Sequence, residues 1–502
     1  MNGLLFVTAR LHNRIQKLAP TRAGLWSDDM FTLDPDSNVS LITQIVSGVT
    51  SLVEEQSLRP GMKMPSIRQF ANTHRVSLFT VVEAYDRLVA QGVLLSRPNA
   101  GFYVRRRSLN RAEEELAGER SFHFDSSWYL RSIFESHKLE MRPGCGWLPG
   151  SWLFNDGLQR GMRRLASAAP NISGYGDPKG YLPLRKLVSQ ALVNREIAAN
   201  EEQVLLTQGS SQALDLIARR LVRPGDVVLV DDPGYANLIN VLRFMGATLI
   251  GIPRTPEGYD LVALEKALRE HRPKVIFTQP RLQSPTGSSA QSGHLHRLLH
   301  LAEKHDLLIV ENDIYADLDP EQRPSLASLD QISHVIHVGS FSKTMSPNLR
   351  VGFLVAPEDM VGDLSQFKMI AGLTTSEFSE RIAHEAATDA RWRRHLKTMR
   401  DRLTNEQERV AGRLIDLGFE LFSEAKSGLF LWAKHPHCTD SSELSKKAAH
   451  AGILLGPGHL FEAHESQASP WLRFNVAYCD DERIFRFLAD ELDSAAQVQA
   501  TS

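Results

Sequence analysis

Apolar positions along the chain fall into two regimes, one helical and compact, the other alternating between helices and short strands. Between Val39 and Arg106, Leu41, Ile42, Ile45, Val46, Val49, Leu52 and Val53 recur at helical spacing and predict one amphipathic helix. After a turn at Arg59-Pro60-Gly61, Pro65-Ser66-Ile67-Arg68-Gln69 reads as a helix start, with Ser66 capping the amide three residues on and Gln69 reaching back. That second helix ends near His74. Ser77 caps a third helix, which runs through Val81, Ala84, Tyr85, Leu88 and Val89 to a stop at Gly92. Val93-Leu94-Leu95, a turn at Pro98-Asn99-Ala100-Gly101, and Phe102-Tyr103-Val104 predict a two-stranded hairpin.

From Gly144 onward the pattern changes. Helical stretches alternate with the apolar runs Val204–Thr207, Val227–Val230, Thr248–Ile250, Val275–Thr278, Leu307–Val310 and Val335–Val338. Runs without alternation are buried on both faces, so a mainly parallel sheet covered by helices is expected. Such sheets bind ligands at the carboxyl ends of their strands.

A length of 502 residues calls for several folded units, and 42% hydrophobic with 23% charged residues argues against a largely disordered chain. Three widely spaced cysteines, Cys145, Cys438 and Cys479, suggest neither a disulfide framework nor a zinc site and fit a reducing cytoplasm. No apolar run approaches the roughly 18 residues of a membrane span. Although the net charge is only −2, it is segregated: Val39–Arg106 holds eight Lys or Arg against four Asp or Glu. Arg105-Arg106-Arg107 closes this basic block, and the acid-rich stretch Asn110–Glu119 reads as a solvated linker. The expected organisation is an extension (1–38), a basic head (39–106), a linker (107–138) and a large body (139–495).

Three helices with a tight second turn and a hairpin make a winged helix-turn-helix, whose third helix enters the major groove by its N-terminus. The block resembles the GntR family of bacterial regulators through Pro65-Ser66-Ile67-Arg68, Val76-Ser77-Leu78-Phe79-Thr80-Val81 and Gly101-Phe102-Tyr103-Val104. Where that family commonly has Arg after the Ser of the recognition helix, this chain has Leu78. Arg68, Thr80 and the wing residue Arg97 are then the leading DNA contacts, with Ser66, Ser77 and Gly101 beside them.

In the body, Gly209-Ser210-Ser211 precedes a helix, and a helix N-terminus favours a phosphate. Tyr235 follows the second strand; Asp313 and Tyr315, two apart on an expected extended segment, follow the fifth. Ser340-Phe341-Ser342-Lys343 and, seven residues past the lysine, Arg350 supply an imine-forming amine and a phosphate clamp. A phosphate, an aldehyde, a ring nitrogen and a hydroxyl are what these groups ask for, which is pyridoxal 5′-phosphate; no metal is called for.

The body resembles a fold-type I, aspartate-aminotransferase-like domain, with a mainly parallel sheet, helices on both faces and a smaller C-terminal α+β subdomain. The resemblance implies that Lys343 carries the cofactor, Asp313 keeps the ring nitrogen protonated, Tyr315 bonds the ring hydroxyl and Tyr235 stacks on the ring. It further implies that Ser210, Ser211, Ser340, Ser342 and Arg350 hold phosphate, that Tyr175 reaches the phosphate of a neighbouring subunit in a homodimer, and that Arg473 grips a substrate carboxylate. Ser284 stands where the family's Asn-Pro-Thr-Gly motif has its Asn. A GntR-like head on such a body is similar to the MocR subfamily of transcriptional regulators. This implies a cytoplasmic homodimer that binds double-stranded operator DNA and senses pyridoxal 5′-phosphate or an amino compound. The alternative is an aminotransferase acting on an amino acid, with a vestigial or autoregulatory head.

Overall fold

The computed structural model describes residues 32–35, 37, 39–54, 58, 61–97, 101–104, 129, 131–132, 134, 139–168, 170, 173–424, 426–464 and 468–501. Arg59-Pro60, the wing turn Pro98-Asn99-Ala100, Arg105-Arg106-Arg107, the acid-rich stretch and most of the extension and linker lie outside the described residues. Two compact units divide between Ser121 and Phe122.

The first unit holds α1 (Leu41–Glu54), α2 (Ile67–His74), α3 (Leu78–Ala90) and the antiparallel hairpin β1 (Leu94–Arg97) and β2 (Gly101–Val104). The apolar face of each helix turns inward, so that Ile45, Val49, Phe70, Val81, Tyr85 and Leu88 build one core. Tyr85 sets its edge against Phe70 and Phe102, and its hydroxyl donates to the Pro65 carbonyl at 3.2 Å, satisfying the one polar atom it buries. In the hairpin, Arg97 lies opposite Gly101, whose φ of +99° is a conformation that side chains rarely adopt.

The second unit is built on an eight-stranded sheet: β3 (Val204–Thr207), β4 (Val227–Asp232), β5 (Thr248–Thr255), β6 (Gly258–Tyr259), β7 (Val275–Thr278), β8 (Leu308–Asn312), β9 (Val335–Ser340) and β10 (Gly352–Val355). Its order is β3-β10-β9-β8-β7-β4-β5-β6. Strands β4, β5, β7, β8 and β9 run parallel, as the unalternating apolar runs predict, and separate apolar cores cover the two faces. Strand β10, which the sequence pattern does not reveal, is antiparallel to both β3 and β9. Gly352 therefore stands opposite both Thr207 and Ser340, at the ends of the two strands it joins. That register draws the turns after β3 and β9 together.

A smaller antiparallel sheet, in the order β11 (Glu420–Leu421), β12 (Phe430–Lys434), β14 (Trp471–Asn475), β13 (Gly456–Pro457), forms the C-terminal part with the helices Trp392–Asp416 and Glu482–Thr501. Among the described residues, no helix is long and apolar enough to cross a membrane.

Candidate functional site

The junction that β10 creates gathers a helix N-terminus, a guanidinium and two serine hydroxyls. The chain leaves β3, turns through Gly209 (φ +74°) and enters the helix Gly209–Leu221, whose N-cap residue Gln208 makes no side-chain cap. The first amides of that helix consequently face outward with the positive end of its dipole. A Cβ on Gly209 would stand 2.8 Å from Arg350 Nη2, and one on Gly352 would stand 2.7 Å from the Gly209 carbonyl carbon. Only glycine permits this approach. Arg350 donates Nη2 to the Gln208 carbonyl at 2.8 Å, Ser340 Oγ accepts the Ser342 amide at 3.1 Å, and Ser342 Oγ is buried with no hydrogen-bond partner. Ser210 and Ser211 occupy the first turn of the helix. A helix N-terminus, a guanidinium and an unused hydroxyl together suit a phosphate.

Next along the sheet edge lies Asp313. Its amide donates to the Val338 carbonyl at 2.8 Å, which fixes it at the ends of β8 and β9. Arg281 approaches the carboxylate as a fork: Nη2 donates to Oδ2 at 2.8 Å, while Nε stands 2.8 Å from Oδ1 without the geometry of a hydrogen bond. Oδ1 is thus buried and unsatisfied, which is the condition of an acceptor waiting for a ring N–H. Burial pushes the Asp313 carboxyl up, against the pull of Arg281. Glu311 and His337 also crowd here with Asp313, all three buried. Glu311 already accepts the amides of Leu326 and Ala327 and the Nδ1–H of His337, so it braces the base of the site. Burial alone would raise the Glu311 carboxyl, but His337, Arg281 and a backbone amide bring it below its ordinary value.

Lys343 follows β9 in a turn. Its Nζ donates to the Gly146 carbonyl at 2.6 Å and lies 5.7 Å from the centre of the Tyr315 ring. Burial, and then the charge of Arg473, pull its ammonium from 10.5 down to about 8. Tyr315 is buried, and burial raises its phenol. It does not lie on an extended segment as expected: β8 stops at Asn312, and a turn carries Tyr315 to φ −104°, ψ 5° ahead of a short 3₁₀ turn. The two side chains reach the site through a bend instead of strand alternation. Tyr235 stands at the N-cap position of the helix Ala236–Phe244 without a capping side-chain bond, and its hydroxyl accepts from Asn237 Nδ2 at 3.3 Å.

Beyond the lysine stands Arg473 on β14, buried between the rings of Phe430 and Phe461. Its Nη1 donates to Ser284 Oγ at 3.2 Å, and its Nη2 donates to the Gly144 carbonyl at 2.6 Å and to the Tyr129 hydroxyl at 3.1 Å. Ser284 therefore faces the arginine. Tyr175, 83% exposed, stands outside this buried cluster. Arg281 and Tyr129 escape sequence reasoning because nothing local marks them: their partners lie 32 and 344 residues away.

The head presents a different surface. Ser77 Oγ accepts the Thr80 amide at 3.0 Å and pairs with the Thr80 hydroxyl at 2.7 Å, which fixes the N-terminus of α3. Leu78 and Phe79 on its first turn are 52% and 72% exposed. Ser66 caps α2 through the Gln69 amide, and Arg68 is exposed. In the wing, the Arg97 guanidinium lies 4.7 Å from the centre of the Tyr103 ring and Lys63 Nζ lies 5.9 Å from it.

Residues 150–490 match the family of class I and II aminotransferases, and residues 41–104 match the bacterial regulatory proteins of the gntR family. The chain belongs to the class I and II aminotransferase family and carries a GntR head. It is similar to the HTH-type transcriptional regulator YdfD of Bacillus subtilis, with 28% identity over 88% of this chain and 93% of the relative. It is also similar to the probable rhizopine catabolism regulatory protein MocR of Rhizobium meliloti, with 27% identity over 85% and 88%. Among solved structures, LysN of Thermus thermophilus, an alpha-aminoadipate aminotransferase complexed with N-(5′-phosphopyridoxyl)-L-leucine, superposes with a TM-score of 0.68. It is 26% identical, covering 78% of this chain and all of that one. This MocR-type chain is a GntR-family regulator whose aminotransferase-like body takes pyridoxal 5′-phosphate. The residues fit that cofactor: unsatisfied Asp313 Oδ1 and Ser342 Oγ, the Gly209–Arg350 cradle and the lowered Lys343 amine each match one of its groups. When bound, the cofactor supplies a carbonyl for an amine and a ring that draws electrons from the bonds of that amine's α-carbon.

Proposed function

We propose that the protein is a cytoplasmic, homodimeric transcription regulator whose body senses pyridoxal 5′-phosphate or an amino compound and whose heads bind operator DNA. The observation that carries this reading is the coexistence, in one chain, of an exposed recognition-helix tip and a buried site with an amine, an acid and an arginine whose partners are all neutral. In this reading Lys343 holds the cofactor covalently, and Asp313 keeps its ring nitrogen protonated. The hydroxyls of Ser210, Ser211, Ser340 and Ser342, together with Arg350, hold its phosphate. Tyr235 stacks on the ring, while Tyr315 and Ser284 line its hydroxyl side. The exposure of Tyr175 supports a role across a dimer interface, toward the neighbouring subunit's phosphate. In the head, Arg68, Thr80 and Arg97 contact the duplex. Ser66, Ser77 and Gly101 hold the helix starts and the wing in place.

The test is binding of the full-length protein to its own upstream DNA, with and without pyridoxal 5′-phosphate and each L-amino acid, alongside an assay for keto-acid formation. Salt-sensitive, sequence-specific binding that these compounds alter supports the regulator reading. Fast multiple turnover of an amino acid with no specific DNA binding would overturn it in favour of an enzyme.

A further inference from the structure

Tyr129 belongs to the stretch that follows the last described residue of the head, Val104, and precedes the body loop beginning at Leu139. Its side chain nevertheless lies in the body's site. The ring is 5% exposed against Leu139, Trp432, Leu454, Leu460 and Phe461. The hydroxyl donates to the Gly144 carbonyl and accepts from Arg473 Nη2 at 3.1 Å. The other partners of Arg473 are equally neutral, namely Ser284 Oγ and the Gly144 carbonyl, while its Nε is buried with no acceptor. A buried guanidinium in this state holds a full charge against three uncharged oxygens. A carboxylate makes two parallel, charge-assisted bonds to such a fork and outcompetes a phenol for them.

We infer that Tyr129 is a competing occupant of Arg473, which the carboxylate of an α-amino acid displaces, thereby freeing the backbone around Tyr129 and Arg131. The inference rests on the sensor reading above. It adds a ligand class, amino acids in preference to amines, and a route by which binding in the body reaches the linker. Displacement costs the phenol its seat, so the fraction of Tyr129 released follows the fraction of the arginine that ligand occupies.

The cofactor-loaded, full-length protein is compared with Tyr129→Phe, which keeps the ring in its apolar seat and removes only the hydroxyl, and with Arg473→Lys. One readout is the cofactor's visible absorption band, titrated with L-amino acids and with the corresponding decarboxylated amines. The other is the rate of trypsin cleavage at Arg131, two residues past Tyr129. Amino acids, and not amines, are expected to speed that cleavage in the parent protein. Tyr129→Phe is expected to be cut about threefold faster without ligand and to bind amino acids roughly threefold to tenfold more tightly. Arg473→Lys should lose the amino-acid effect. Unchanged ligand-free cleavage in Tyr129→Phe, or amino-acid binding that is equal or weaker, overturns the inference. A cofactor band that neither amino acids nor amines move in the parent protein, together with DNA binding that pyridoxal 5′-phosphate leaves unchanged, overturns the sensor reading. That failure is recognised separately, because the ligand-free cleavage rates report on the tyrosine alone.

Discussion

Arg281 is the residue on which the chemistry of Asp313 turns. Its guanidinium reaches both carboxylate oxygens at 2.8 Å and also donates to the Arg323 carbonyl at 2.7 Å, so it is both a charge and a brace. Removing one partner of a buried ion pair leaves the other uncompensated, at a cost of about 3–5 kcal/mol. Arg281→Gln is accordingly expected to lose about 3 kcal/mol or more of stability in urea unfolding. It should also weaken retention of the cofactor, measured by dialysis against its absorbance. Lys343 sets a second expectation, this time on pH. Its amine titrates near 8 in the fold against 10.5 when free, so folding expels a proton. That penalty is complete below pH 8, fades between 8 and 10.5, and is absent above. Only the neutral amine attacks a carbonyl. Attachment of cofactor to the cofactor-free protein should therefore accelerate as pH rises through about 8, followed by stopped-flow absorbance. Arg473→Gln should move the midpoint upward, because the charge of Arg473 is one of the causes that lower it.

At the scale of elements, α3 and β10 contrast in how readily they are read. The start of α3 is legible because its signal is local: Ser77 caps Thr80 three residues on, and apolar spacing marks the buried face. Ser77→Ala should cost about 1 kcal/mol, measured by thermal unfolding. Leu78→Ala and Phe79→Ala, being exposed, should change stability by less than about 0.5 kcal/mol. Both should still weaken DNA binding, because apolar side chains at a recognition-helix tip contact thymine methyl groups. Replacing dT by deoxyuridine in the bound site should reproduce that loss, and unchanged affinity would exclude the contact. Strand β10 is illegible for the opposite reason. Gly352-Phe353-Leu354-Val355 opens on glycine, a poor strand former, and its pairing with β3 and β9 depends on segments that close up only in three dimensions. The six apolar runs coincide with β3, β4, β5, β7, β8 and β9. The bend that places Tyr315 has no such signal, since a chain leaving a strand has no periodicity to follow. Gly352→Ala should destabilise the body, because its Cβ would meet backbone atoms that no side-chain rotation can move.

Across the whole molecule, a near-neutral total hides a basic head, and the head should behave electrostatically as a separate object. The affinity for its upstream DNA should fall steeply with salt in fluorescence anisotropy, and Arg68→Ala should lower the log–log slope by about 1. A homodimer predicts a sedimenting mass of twice 56.2 kDa and two half-sites in the DNA. Strand β10 has one more consequence, in the order in which the chain is made. Val104 completes the head's hairpin, whereas the cofactor cradle cannot close until Val355 has emerged. At about 5–20 residues per second, those roughly 250 residues take on the order of 10–50 s. For that interval a nascent chain carries a finished DNA reader and no sensor to govern it. A message truncated before Gly352 would make that condition permanent.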